Sequence, residues 1–356
     1  MRIAIFPGGD ENRASSRIRA FTLAKSLRDA GHDARLGDAT GAEVLLIQKS
    51  ATKQTIELAS TARKNGALIV YDADDLGTAL WWFVAPRILH RLLPLVDLIT
   101  TDTPQHADHL RHDFGFDSVE VVPDAVDYYP TGPVRPPLAP ETPLRIIWFG
   151  DANNFSLFAR YARTLSAIPQ SEVTVVTNPG VIDGLASRFP EISFVPWSRE
   201  TFPCILQRAA LALLTHEGSE IDRAKSNNRM ITSITWGIPA VASRTPEYER
   251  TARECGVEQA IFSEEADCVS TIERLRPVAS RTAYLDIAQP EVWRRYSPVE
   301  VAKRFVDVVS GARRSARHEH TGYLRWLLRA SRRNVIPALL YDARHAAAAW
   351  LDREKR

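Results

Sequence analysis

The chain has 356 residues, of which 45% are hydrophobic and 25% charged, and it is longer than a single hydrophobic core usually grows. Two globular domains are therefore expected. The formal net charge of +2 is too small to indicate nucleic acid as a partner. The 3 cysteines are odd in number and not in metal-ligand spacing, which predicts a reducing compartment and no disulfide framework.

The start of the chain, MRIAIFPGGD, enters a strand pattern directly and shows no long apolar signal segment. No uninterrupted apolar run approaches the roughly 18 residues needed to cross a bilayer. From these features we expect a cytoplasmic protein.

Short apolar runs alternate with amphipathic helical patterns, and they do so in two series. The first series begins with RIAIF and the helical SSRIRAFTLAKSLRDAG, and the second begins with LRIIWFG. Between them, the prolines of YYPTGPVRPPLAPETP predict a linker. Alternating strands and helices imply two doubly wound α/β domains with parallel sheets, each offering the carboxyl ends of its strands to a shared cleft. The predicted divisions are an N-terminal domain (1–128), the linker (129–143), a C-terminal domain (144–296), a closing helix (297–311) and a basic tail (312–356).

Two glycines, Gly8 and Gly9, follow the first predicted strand and precede the helix that carries Arg17 and Arg19. Glycine lets the backbone approach an anion closely. The pattern is neither a complete GxGxxG nor a P-loop. A plain structural turn therefore remains an equal alternative to a phosphate-binding role.

A cluster of carboxylates ends the predicted strand ALIVYDADDL. Helix capping explains Asp74 or Asp75, but it explains all three carboxylates, with Asp72, less well because their mutual repulsion must be offset. A metal-binding DxD is one alternative, and the DxDxT of aspartyl-phosphate phosphatases fails at Leu76. We favour a catalytic base or a ligand of an acceptor hydroxyl over a metal site.

The second predicted domain also places polar residues after its strands. Asp151 is predicted to cap a helix, while Asn153 and Asn154 are candidates to bind a phosphate or a sugar hydroxyl. His216 and Glu217 open a mixed-charge loop that is too rich in hydrogen-bonding groups to be only a connector. His216 by itself is expected to be structural.

The stretch RAKSNNRMITSITWGIPAVAS, residues 223–243, follows that loop. It has two interpretations. In the first it is an ordinary helix-to-strand connection, with Gly237 as the left-handed residue after the helix and Pro239 fixing the exit. In the second, Lys225 and the amides after it form an anion site at a helix N-terminus.

This stretch resembles the GT-B glycosyltransferases of the family 4-like (group 1) class. The residues in register with the family pattern are Arg223, Lys225, Ser226, Asn228, Arg229, Gly237, Pro239 and Ser243. The first half is similar in its SSRIRAFTLAKSLRDAGH helix, its YDADDL strand end and its VVPDAVD exit, so the likeness covers about residues 1–311. It implies two Rossmann-like domains facing a cleft, and it favours the anion-site interpretation.

The resemblance implies a role for each matching residue. Lys225 and Arg223 would neutralise the donor phosphate, and Ser226 and Asn227 would offer it backbone amides, so that no metal or other cofactor is needed. The family's glutamate, which holds the nucleotide ribose, is replaced here by Thr232. The full set of expected site residues is Asp72, Asp74 and Asp75 for catalysis; Gly8, Gly9, Arg223, Lys225, Ser226 and Asn227 for the donor phosphate; and Asn153, Asn154, Glu217, Asn228 and Thr232 for the rest of the donor.

The function implied by the resemblance is sugar transfer from a nucleotide-sugar donor to a glycan or lipid-linked acceptor, in surface polysaccharide or glycoconjugate biosynthesis. Two alternatives remain open. One is a GT-B sugar-nucleotide epimerase, which would need its own acid and base. The other is a catalytically degenerate GT-B scaffold subunit, which the replacement of glutamate by Thr232 suggests.

The tail, from Arg313 onward, is rich in arginine interleaved with Tyr323, Trp326 and leucines. This composition suits a helix lying on an anionic membrane, which would make the protein peripheral on the inner face of the cytoplasmic membrane. Packing on the protein itself or on a second subunit is an equal alternative.

Overall fold

The computed structural model describes residues 1–74, 91–112, 116–136, 138–216 and 223–312. The chain forms two compact units. The first comprises Met1–Asp10, Leu27–Val122 and the described chain from Arg304, and the second comprises Glu11–Ser26 and Pro123–Lys303. The second unit thus takes in a segment near the start of the chain, which the predicted domain divisions assigned to the N-terminal domain.

The first unit is built on a six-stranded parallel sheet with strand order β2-β1-β3-β4-β5-β6. Its strands are β1 (Arg2–Phe6), β2 (Asp33–Leu36), β3 (Val44–Gln48), β4 (Leu68–Asp72), β5 (Leu98–Thr101) and β6 (Val119–Val121). Every residue of β3, β4 and β5 is buried, as expected for central strands of a parallel sheet covered on both faces. The register aligns Gln48, Asp72 and Thr100 at the carboxyl edge of this sheet.

The helices in the first third of the chain follow the predicted pattern, with one irregularity. They are α1 (Ala14–Ser16), α2 (Leu23–Asp29), α3 (Lys53–Lys64) and α4 (Pro104–His112), with a 3-10 turn at Leu93–Leu95. Between α1 and α2 the chain forms a π-helical stretch, Arg17–Thr22, so the predicted single helix is not regular. Helix α3 begins with a reciprocal capping box between Thr52 and Thr55.

The second unit is built on another six-stranded parallel sheet, with strand order β12-β11-β10-β7-β8-β9. Its strands are β7 (Leu144–Phe149), β8 (Ser171–Thr177), β9 (Ser193–Pro196), β10 (Leu211–Leu214), β11 (Ala240–Ser243) and β12 (Ile261–Phe262). Trp148 is fully buried within this core, and its indole N–H donates to Thr215 Oγ1 over 3.1 Å. The predicted α/β class and the parallel sheets are confirmed.

Helices connect these strands and continue beyond the last of them. They are α5 (Phe155–Ala159), α6 (Ala162–Ser166), α7 (Ile182–Arg188), α8 (Phe202–Leu206), α9 (Asn228–Thr235), α10 (Pro246–Glu254), α11 (Glu265–Arg274), α12 (Val278–Tyr296) and α13 (Pro298–Gly311), with 3-10 turns at Ala152–Asn154, Pro179–Val181 and Glu258–Ala260. Within the described ranges, no helix is both long enough and apolar enough to span a bilayer.

The proline-rich segment packs against the end of helix α9. Val134 donates its backbone N–H to Thr235 O over 2.8 Å, and Gln289 Nε2 donates to Val134 O over 2.9 Å. Gly237 has a φ of 82°, which confirms the predicted left-handed residue after the helix. A Cβ at this position would lie 2.5 Å from Pro136 Cδ and 2.7 Å from Val134 O. Only glycine fits this position without moving the segment.

Replacing Gly237 with alanine should lower the free energy of unfolding by on the order of 2 kcal/mol, because the new Cβ adds left-handed strain and a collision with backbone. Chemical denaturation measures this loss. Gly132→Ala is the matched control, since Gly132 lies in the same segment and a Cβ there meets nothing within 4 Å. Equal stability of the two variants would contradict the packing argument.

Candidate active site

The turn after β1 approaches the end of β3 closely. The backbone N–H of Gly8 donates to Gln48 Oε1 over 2.7 Å, and a Cβ at Gly8 would lie 2.8 Å from Gln48 O. Glycine is therefore required here by packing within the first unit. Gly9 is half-buried beside it. The phosphate contact expected for these glycines stays a prediction.

Two of the predicted catalytic carboxylates are buried at the carboxyl end of β4. Asp72 accepts a hydrogen bond from Thr100 Oγ1 over 2.7 Å, and Asp74 lies 3.7 Å from Lys49 Nζ. Lys49 has a left-handed φ of 53°, and its backbone N–H donates to Asp72 O. The ammonium group of Lys49 helps to offset the repulsion expected between the carboxylates. Asp75 lies outside the described residues.

A neighbouring pair at this edge of the sheet was not identified from the sequence. Asp102, just before α4, and His106, in its first turn, are both buried and joined through Asp102 Oδ1 and His106 Nδ1. Thr103 caps the same turn by accepting the backbone N–H of His106 over 3.1 Å. The polar TTDTPQH segment directly after a predicted strand was the available signal.

The N-terminus of α9, in the second unit, is anchored by Asn227. This residue is 1% exposed, and its Nδ2 donates to Thr251 Oγ1 of α10 over 2.8 Å. Ser226 precedes it, half-buried. The side chain of Asn227 does not cap the helix. The backbone N–H of Asn228 donates to Ser226 Oγ over 3.4 Å and that of Met230 to Asn227 O over 2.9 Å. The start of α9 is also the positive end of its helix dipole.

Two cations lie next to this helix start. Lys225 is half-buried and Arg223 is exposed, and neither side chain makes a hydrogen bond or ion pair with another residue in the described part of the chain. Positive side chains near a helix N-terminus are unfavourable because they oppose the helix dipole. A bound anion would remove this penalty by neutralising both. The arrangement is suited to holding a phosphate group.

The side chains that follow along α9 have structural partners. Asn228 Nδ2 donates to Ala125 O over 2.9 Å, and Thr232 Oγ1 accepts from the backbone N–H of Asp127 over 3.2 Å. Thr232 is 0% exposed. The hydroxyl of Thr232, at the position where the resembled family has its glutamate, therefore holds the backbone of Asp127. The donor contacts expected of Asn228 and Thr232 stay predictions.

The loop after β7 begins with a capped turn. Asp151 Oδ1 accepts from the backbone N–H of Asn153 over 2.9 Å, which confirms the predicted capping role of Asp151. Asn153 is exposed and Asn154 is half-buried at this sheet edge. Their predicted contact with the donor stays a prediction. Glu217 lies outside the described residues.

His216, directly after β10, is bound to the arginine of α9. Arg229 Nη2 donates to His216 Nε2 over 2.7 Å, and Arg229 Nη1 donates to Phe149 O over 3.3 Å. The backbone N–H of His216 donates to Ser243 Oγ over 2.6 Å. These contacts place Arg229 at the carboxyl ends of β7 and β10.

A buried ion-pair network also lies within the second unit. Arg17 donates to both oxygens of Asp127, from Nε over 2.8 Å and from Nη2 over 2.7 Å, and Arg19 Nη1 donates to Asp124 Oδ1 over 3.0 Å. The Arg17 guanidinium carbon lies 5.1 Å from the Tyr128 ring centroid and 5.3 Å from that of Trp197.

Burial and the charge of Asp127 shift the pKa values of two of its neighbours, Arg17 and Tyr128. Burial by itself lowers the pKa of Arg17, but the hydrogen bonds and charge of Asp127 more than offset it, and the pKa is raised. Burial also raises the pKa of Tyr128, and the Asp127 charge adds to this rise. The two arginines that follow the glycine turn are thus paired with aspartates.

Each unit is a parallel six-stranded sheet with covering helices, and solved structures that match the chain show that this is the GT-B fold. A similar solved structure is Anabaena HepE in complex with UDP, with a TM-score of 0.62 and 12% identity over 87% of this chain and 100% of that chain. A glycosyltransferase from Rickettsia africae ESF-5 has a TM-score of 0.62 and 9% identity over 87% of this chain and 99% of that chain. T4 phage β-glucosyltransferase has a TM-score of 0.55 and 13% identity over 87% and 99% of the two chains.

No protein-family model matches the sequence, and the search of curated proteins found no match. The likeness to solved structures therefore establishes the fold. Within the described ranges, no group of three or more histidine, cysteine, aspartate or glutamate side chains is arranged to hold a metal ion.

Proposed function

We propose that the protein is a metal-independent glycosyltransferase that moves a sugar from a nucleotide-sugar donor to a glycan or lipid-linked acceptor in surface polysaccharide or glycoconjugate biosynthesis. The observation that carries this proposal is the pair Lys225 and Arg223 at the start of α9, unpaired with any described side chain. Similar structures that bind UDP, such as Anabaena HepE, support a nucleotide donor.

The proposed chemistry follows from charge development. As the sugar bond breaks, the leaving nucleotide gains negative charge, and cations already in place stabilise that state more than the ground state. Asn227 holds the helix start through its bond to Thr251, so Lys225 and the amides of Ser226 and Asn227 need little reorganisation. Preorganisation of this kind is the main contribution of the second unit.

Acceptor activation is assigned in this proposal to the aspartates after β4. A carboxylate within hydrogen-bond reach of an acceptor hydroxyl removes its proton as the bond to the sugar forms. Asp72 is oriented by Thr100, and Asp74 Oδ1 lies 3.7 Å from the ammonium group of Lys49. Asp75 is the third residue of this proposed group.

Calorimetric titration with UDP, GDP, CMP and a panel of sugar nucleotides tests the proposal directly. We expect one nucleoside diphosphate and its sugar derivative to bind, and sugar to appear on an acceptor in a product assay. Conversion of the donor to a stereoisomer without acceptor would indicate the epimerase. Binding of none of these nucleotides would contradict the proposed function and favour a scaffold subunit.

Activity should be little changed by EDTA, because Lys225 and Arg223 supply the positive charge that a divalent metal provides in other enzymes. Turnover is compared before and after chelation, with zinc-, magnesium- and manganese-supplemented reactions as controls. Loss of activity on chelation and its recovery with magnesium or manganese would instead assign the aspartate cluster to a metal.

The arginine-rich residues 313–356 lie outside the described part of the chain, and we propose that they bind an anionic membrane surface. Each arginine near such a surface contributes roughly 1 kcal/mol, screened over a Debye length of about 8 to 10 Å. Deleting the chain after residue 312 should abolish sedimentation with anionic liposomes at low salt while preserving activity on a soluble acceptor. Failure of the full-length protein to bind, or unfolding of the truncated protein, would identify a structural or subunit-contacting tail.

A further inference from the structure

We propose that His216 is a positioning residue for Arg229, and that Arg229, so held, is a further cation on the diphosphate of the donor while His216 is neutral. This inference rests on the proposed function, because it concerns the same anion site. It adds a pH dependence that the lysine and the helix dipole do not have.

The geometry determines the tautomer of His216. An arginine N–H can only donate a hydrogen bond, so His216 Nε2, 2.7 Å from Arg229 Nη2, must accept. The imidazole is therefore neutral and carries its proton on Nδ1. The short strand end is itself fixed by the bond from the His216 backbone N–H to Ser243 Oγ.

The position of Arg229 suits an anion ligand. Phe149 O and His216 accept from its two terminal nitrogens, and together they orient the planar guanidinium at the carboxyl ends of β7 and β10. An arginine has five N–H donors, and these two bonds leave the others without a partner in the described part of the chain. Arginine presents such donors in a rigid plane that matches phosphate oxygens.

Protonation of His216 would remove this support. The Nε2 proton would then point at an N–H of Arg229, and two cations would lie within hydrogen-bond distance of each other. Two titratable groups face the imidazole from neighbouring helices: Arg229 from α9, and Tyr248 from α10, whose hydroxyl lies 3.5 Å from Nε2. Arg229 opposes the charged imidazole, so donor affinity should fall on acidification.

The first test measures the histidine directly in the full-length protein. With 15N-labelled histidine, NMR reports the tautomer and titration of each ring, and His216→Asn identifies the signal of His216. We expect the Nδ1-protonated tautomer, and a rise in the pKa of His216 of about 1 unit in Arg229→Met. An Nε2-protonated ring, or an unchanged pKa in that variant, would overturn the positioning role.

The second test measures binding of UDP and of GDP by calorimetry between pH 8 and pH 5.5. Asparagine accepts a hydrogen bond but does not titrate, so His216→Asn serves as the reference protein. Protonation of the nucleotide affects both proteins equally and therefore cancels in the ratio of their affinities at each pH. The ratio of the nucleotide affinity of the unaltered protein to that of this variant should fall about tenfold from pH 8 to pH 5.5. His109→Asn replaces an exposed histidine of α4, and its nucleotide affinity should depend on pH as that of the unaltered protein does.

The outcomes separate this inference from the proposed function. If the ratio of affinities between the unaltered protein and His216→Asn does not change with pH, the inference is overturned. Nucleotide binding would still support the proposed function. If neither nucleotide binds at any pH, the proposed function and the phosphate role of Arg229 both fail. The NMR measurement then still decides whether His216 positions Arg229.

Discussion

Replacing Asp127 with alanine should lower the free energy of unfolding by about 3 to 5 kcal/mol, the largest effect on stability that we expect from a single substitution in this protein. The change leaves Arg17 buried, 7% exposed, without its bidentate partner. It also removes the carboxylate that accepts the backbone N–H of Tyr128. Chemical denaturation monitored by tryptophan fluorescence measures the loss.

The control uses a second bidentate pair at the surface. Arg35 donates to both oxygens of Asp33, but the two side chains are 48% and 42% exposed. Water stabilises either partner alone, so Asp33→Ala should have little effect. The double substitution Arg17→Met with Asp127→Leu should recover much of the lost stability, because it leaves no buried charge. If both single aspartate variants lose the same stability, burial is not the cause.

Replacing Lys225 with alanine should lower kcat/KM by about 30-fold to 1000-fold, which corresponds to roughly 2 to 4 kcal/mol of transition-state stabilisation. The lysine would form a charge-assisted bond that strengthens as the leaving nucleotide gains charge, so kcat should fall at least as much as the affinity for the donor. Steady-state kinetics with the donor found by calorimetry measure both quantities.

Two further variants make this prediction specific. Lys225→Arg keeps the charge and should retain more activity than the alanine variant. Lys53→Ala removes a lysine of α3 that is 86% exposed and should have no effect on kinetics. Near-normal turnover in a folded Lys225→Ala protein would remove Lys225 from the proposed site.

The sequence predicts the sheets because their central strands carry their own signal. Strands β3, β4 and β10 are continuous apolar runs between helical patterns, as burial on both faces requires. The assignment of Glu11–Ser26 to the second unit carries no local signal. It involves contacts such as Arg17 with Asp127, which are 110 residues apart and depend on how the whole chain folds.

In the candidate site, too, local features could be predicted from the sequence and long-range contacts could not. Lys225 and Asn227 belong to one continuous stretch at the start of a helix, where sequence order and spatial proximity coincide. The bond between His216 and Arg229 depends on the directions of two side chains from a strand end and a helix, and spacing alone does not determine those directions. Thr232 accepts a hydrogen bond from the backbone N–H of Asp127, a long-range contact that the sequence does not indicate.

The membership of Glu11–Ser26 in the second unit affects how halves can be exchanged between chains of the same fold. A chimaera joined in the proline-rich segment, residues 129–143, would keep Arg17 and Arg19 with their partners Asp124 and Asp127 in the N-terminal half. It would separate this half from Asn228 and Thr232 of α9, which bond to Ala125 O and to the backbone N–H of Asp127. The grafted half would then depend on the host's own chain to supply partners for Asn228 and Thr232. Grafting of the second unit therefore requires that the short segment Glu11–Ser26 and the residues from Pro123 onward travel with the half that they join.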